Sequence, residues 1–103
     1  VSGFTVTPGL EHLAAQYAKE MELDGERLAA LAQGSATELA AHAHAMGGKC
    51  AMIGDKGLAT VLYGLEQDAL AGRAARVTAA LAEVETLLSH RRPEHLIDAV
   101  GTA

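Results

Sequence analysis

The sequence predicts an all-α fold, an antiparallel four-helix bundle with short additional N- and C-terminal helical segments. Three observations carry that prediction. Half of the 103 residues are apolar but only 3% are aromatic; alanine and leucine dominate and β-branched residues are sparse, which favours helix packed on helix. Apolar residues recur at helical spacing along several stretches. Turn signals separate those stretches at Asp24-Gly25, Gly34-Ser35, Gly54-Asp55, Gly72 and Arg91-Arg92-Pro93. With no internal repeat and no low-complexity linker, residues 1–103 read as a single domain.

The elements follow in order. Thr7-Pro8 looks like an N-cap with proline at the first helical position, followed by Leu10, Leu13, Ala14, Tyr17, Ala18 and Met21 on one face. Asp24-Gly25 is expected to restart the chain. A short segment with Leu28 and Leu31 then ends near Gly34. Ser35-Ala36-Thr37-Glu38 reads as a capping box, in which the serine hydroxyl accepts from the Glu38 amide. The helix it opens is expected over about 35–53, with Gly54 as its C-terminal cap. Asp55 is the next N-cap, for a helix over about 56–71 carrying Leu58, Val61, Leu62, Leu65 and Ala69 and stopped by Gly72. A last long helix, about 73–90, carries Val77, Leu81, Val84, Leu87 and Leu88. Proline disfavours helix at the residue before it, so Arg91-Arg92-Pro93 ends this helix. A terminal turn with Leu96, Ile97 and Val100 is expected to pack back on the bundle. The N-terminal segments supply the fourth helix.

Composition narrows the function. A net charge of −5 and a pI near 5.4 argue against nucleic acid, which selects a basic stripe. No apolar run approaches the ~18–20 residues of a membrane span, and the N-terminus lacks the basic and apolar regions of a signal peptide. The single cysteine, Cys50, forms no internal disulfide and fits a reducing, cytoplasmic setting.

The informative stretch is His42-Ala-His-Ala-Met-Gly-Gly-Lys-Cys-Ala-Met-Ile-Gly54. Glycine in a helix interior costs about 1 kcal/mol relative to alanine, so Gly47-Gly48 needs a reason. A helix turns about 100° per residue, which puts Leu39, Met46 and Ile53 roughly opposite His44 on an apolar stripe. His44 therefore points outward. Its neighbours on that face, Ala40, Ala41, Gly47, Gly48 and Ala51, are all small. The pattern reads either as a platform cleared so that another macromolecule reaches the imidazole, or as a kink or the close approach of a neighbouring helix.

His44, Gly48, Ile53 and Gly54 fall at positions 0, +4, +9 and +10. This resembles the motif of histidine-containing phosphotransfer (HPt) domains, with a phosphorylated histidine, lysine at +3, glycine at +4, an aliphatic residue at +9 and glycine at +10. Gly34-Ser35 stands where such domains often have Gly-Asp, and Leu65-Glu66 where they often have Leu-Glu. The likeness covers about residues 25–75. It implies a four-helix bundle and a phosphocarrier rather than a complete autonomous enzyme: His44 accepts a phosphoryl group from a receiver-domain aspartyl phosphate and passes it to another receiver. It implies response-regulator receivers as partners, with a histidine kinase in the same chain as a further one. No cofactor is expected on this domain, and Mg²⁺ is expected on the receiver. The docking surface would be Ala40, Ala41, Gly47, Gly48 and Ala51. The chain departs from the motif at +3, where Gly47 replaces lysine. Lys49 is the nearest candidate for electrostatic support, but at +5 it lies about 140° round the helix and equally suits a solvated edge.

Other residues are read structurally. His42 and His44 face nearly opposite directions and do not chelate one ion, so no metal site is expected and His42 is a half-buried, hydrogen-bonded histidine. Cys50 is a buried thiol. His12, His90 and His95 are surface residues, and Arg73 and Arg76 form a solvated face. Gly54-Asp55-Lys56-Gly57 is a helix-to-helix turn without the phosphate-loop pattern. Two further readings remain: an HPt-like interaction module that docks receivers or other partners without phosphotransfer, and a metal-binding bundle, which the opposed histidines disfavour.

Overall fold

The computed structural model describes residues 4–92. A 3-10 turn, Glu11–Leu13, leads into four α-helices: α1 (Ala14–Leu31), α2 (Ala36–Ile53), α3 (Lys56–Leu70) and α4 (Ala74–Ser89). No strand occurs among the described residues. The expected turn with Leu96, Ile97 and Val100 lies outside them, as does His95.

Local chemistry sets the helix ends where the sequence places them. The Ser35 hydroxyl accepts from the Glu38 amide at 3.4 Å and starts α2. Gly54 ends it at φ 98°, a left-handed conformation that favours glycine. There the Asp55 amide bonds the Cys50 carbonyl at 2.8 Å and the Gly54 amide bonds that of Ala51. Asp55 caps α3 through the Leu58 amide. Gly72, at φ 72°, repeats the same closure at the end of α3.

The N-terminal third differs from expectation. Asp24-Gly25 interrupts nothing: α1 runs through both residues. A Cβ on Gly25 would sit 2.6 Å from a Leu88 methyl, so the glycine admits α4 at close range and is not a break. Thr7-Pro8 does not start a helix. Instead the Thr7 amide bonds the Ile53 carbonyl at 2.8 Å and its hydroxyl the Met52 carbonyl, fastening the N-terminal segment to the end of α2.

The core contains Met21 and Leu28 from α1, Leu39, Ala43, Met46 and Cys50 from α2, Leu58, Leu62 and Leu65 from α3, and Val84 from α4. The stripe of Leu39, Met46 and Ile53 is buried, which turns the opposite side of α2 outward. The α2–α3 pair forms the most extensive helix contact and carries the site.

Candidate functional site

His44 stands mid-way along α2 with its side chain 65% exposed. Its Nδ1 lies 3.0 Å from the Glu66 Oε1 of α3. An ionised carboxylate only accepts hydrogen bonds, so Nδ1–H donates to it, and in the neutral form of the ring the lone pair is then on Nε2. Nε2 has no hydrogen-bond partner among the described residues. The Tyr63 ring, one helical turn from Glu66 on α3, sits beside the imidazole at 5.7 Å between centroids and a 52° tilt. The ring is thus flanked by α3 on one side and open at Nε2.

The two adjacent glycines have different reasons. A Cβ on Gly47 would lie 2.7 Å from Tyr63 Cε1 and 3.0 Å from Cδ1. Gly47 is therefore buried by Tyr63, and here close approach of a neighbouring helix explains the glycine. A Cβ on Gly48 would meet nothing within 4 Å. Of the small residues placed around His44, Ala41, Gly48 and Ala51 are exposed. Ala40 and Gly47 are buried and do not belong to an open docking face. Both project to the same flank of α2, the flank that Tyr63 covers at Gly47. A wheel drawn on one helix does not reveal that neighbour. Exposed Ala45 and Met52 border the open side.

Lys49 is not beside His44. Its Nζ donates to Asp24 Oδ2 of α1 at 2.8 Å, and that hydrogen bond to the carboxylate raises its pKa, against a smaller lowering by desolvation. His42 faces the same helix, its Nε2 2.9 Å from the Asp24 carbonyl, half-buried as expected. His12, His90, Arg73 and Arg76 are exposed, and Arg73 pairs with Asp68 at 3.0 Å. Among the described residues no group of three or more His, Cys, Asp or Glu side chains is arranged to hold a metal. None of their helices is long and apolar enough to cross a membrane.

Helical spacing turns His44 outward but does not reveal its partner: that Glu66 reaches Nδ1 depends on how α2 and α3 pair. Also missed was a buried polar cluster at the α2–α3 turn. Arg91 Nε and Nη2 donate to the two Asp55 oxygens at 2.7 and 3.0 Å, with Arg91 3% and Asp55 0% exposed. The Tyr17 hydroxyl donates to Asp55 at 2.7 Å and lies 3.2 Å from Cys50 Sγ. The Phe4 ring lies 5.1 Å from the guanidinium carbon. Burial pushes the Cys50 thiol up to about 11, and burial, with Cys50 and Asp55 beside it, pushes the Tyr17 phenol far above its ordinary value. With its ionisable groups buried, this cluster holds the helices together and offers solvent no nucleophile.

No family model, curated protein or solved structure matches the chain.

Proposed function

We infer that this chain is an HPt-like phosphorelay intermediate, an antiparallel four-helix bundle working in the cytoplasm. The observation that carries the reading is the exposed His44 imidazole, oriented by Glu66 through Nδ1 and open at Nε2. In the reaction, Nε2 attacks the phosphorus of a receiver's aspartyl phosphate. The N–P bond forms as the O–P bond breaks, and that bond's electrons return to the aspartate carboxylate. The reverse step delivers the group to another receiver. Such transfer is mostly positioning plus neutralisation of phosphoryl charge. Mg²⁺ for that neutralisation belongs to the receiver, and this domain binds no cofactor. Ala41, Gly48 and Ala51 leave room for the receiver to approach.

Incubation with a phosphorylated receiver should label the chain, and His44→Gln should abolish the label. Labelling that persists in that variant removes His44 from the role.

A second reading has its own support. Gly47 replaces the motif lysine and lies under Tyr63, while Lys49 is committed to Asp24. These features suit a module that docks receivers or other partners without accepting phosphate. Receiver binding without label, in the unmodified chain, would select it.

A further inference from the structure

We propose that Glu66 makes His44 a phosphoryl donor: a phosphoryl group on Nε2 departs quickly, because the carboxylate keeps the Nδ1 proton in place and, among the described residues, no lysine or arginine pairs with Glu66 beside the ring. The proposal rests on the relay reading of His44 and adds the direction in which the group prefers to move.

The lysines and arginines all fall among the described residues. Lys49 pairs with Asp24, Arg73 with Asp68, and Arg91 with Asp55 in the interior. Lys19 and Arg27 belong to α1, which meets α2 on the flank of Lys49, away from His44. Lys56 opens α3, ten residues and so about 15 Å along the axis from Glu66. Arg76 belongs to α4 and Arg92 follows it. Residues 1–3 and 93–103 contain no lysine or arginine. The ion pair of Glu66 is with His44. Among the described residues, the titratable groups in contact with the imidazole are Glu66 and Tyr63, both from α3; the open α2 neighbours Ala41, Gly48 and Ala51 carry no charge.

Phosphorylation of Nε2 with Nδ1–H retained gives a phosphoimidazolium, and the Glu66 carboxylate stabilises that cationic ring. On transfer to an aspartate carboxylate the N–P bond breaks, its electron pair returns to Nε2, and a neutral imidazole leaves. No proton has to move. Loss of the Nδ1 proton would make the leaving group imidazolate, a far stronger base and a far poorer leaving group. Relieved repulsion of the phosphoryl dianion and lost attraction to the cationic ring oppose each other as the group departs, so the retained Nδ1 proton is what sets the rate.

Phosphoramidate phosphorylates exposed imidazoles without a receiver, so it tests the proposal independently of the relay. The labelled full chain is followed by phosphorus NMR between pH 7 and pH 9, with His44→Gln identifying the resonance. Glu66→Gln keeps an oxygen that accepts from Nδ1 but removes the charge. The variant should lose phosphate more slowly, by up to about tenfold at the alkaline end for each pKa unit by which the carboxylate holds the proton. Gly48→Lys, which places a cation in open space near the ring, should also prolong the label. Unchanged or faster loss in both variants overturns the proposal, as does an unmodified chain that phosphoramidate does not label at His44. Prolonged label in Glu66→Gln without receiver transfer in the unmodified chain counts against the relay reading alone.

Discussion

Gly47 and Gly48 are adjacent in one helix, yet alanine should act on them in opposite ways. Propensity alone gives each Gly→Ala change about 1 kcal/mol of stabilisation. At Gly48 nothing lies within 4 Å of the new methyl, so the gain is kept. At Gly47 the methyl would sit 2.7 Å from Tyr63 Cε1 and 3.1 Å from Cζ, well inside van der Waals contact. The ring must move, and overpacking of this kind costs about 1–3 kcal/mol. Gly48→Ala should therefore be the more stable variant by about 1–3 kcal/mol. At about 4–8 °C per kcal/mol for a domain of this size, the two melting temperatures should separate clearly. Urea titration followed by helical circular dichroism at constant m-value measures the difference. Equal stabilisation by both substitutions would refute the close approach of Tyr63 and restore Gly47 to the open face.

Two further outcomes follow from the interior. Arg91→Met leaves the buried Asp55 carboxylate without its bidentate partner and should cost about 3–5 kcal/mol, whereas adding Asp55→Asn should recover part of that loss; a single variant within about 1 kcal/mol of the parent in urea would show the pair is not buried as described. Cys50 has its folded pKa raised to about 11, so its contribution is intact below the pKa of the unfolded thiol and is lost as pH climbs from about 9 through about 11. Cys50→Ala should flatten that alkaline fall by up to one proton's worth of slope in urea melts at stepped pH, and an unaltered slope would contradict the buried thiol.

Helices closed by local chemistry were legible from the residues. Ser35, Gly54, Asp55 and Gly72 act within a few positions of themselves, and α2, α3 and α4 begin and end within a residue of where those signals place them. What failed depended on partners distant in the chain. Gly25 resembles a breaker until Leu88 appears beside it, and Thr7 resembles a cap until Ile53 accepts its amide. At the site, helical spacing correctly turned His44 away from Leu39 and Met46. It carries no information on Tyr63, which is why Ala40 and Gly47 share the outward arc of α2 yet are buried, Gly47 against the Tyr63 ring. Choosing Glu66 as the partner of Nδ1 required the register of α2 against α3.

Asp55 receives a phenol from α1, the first-turn amide of α3 and a guanidinium just beyond α4. Fraying at the α4 terminus thus strands the same carboxylate that starts α3 and holds Tyr17. Three places far apart in sequence share one opening event, and hydrogen exchange should register them as a single cooperative unit.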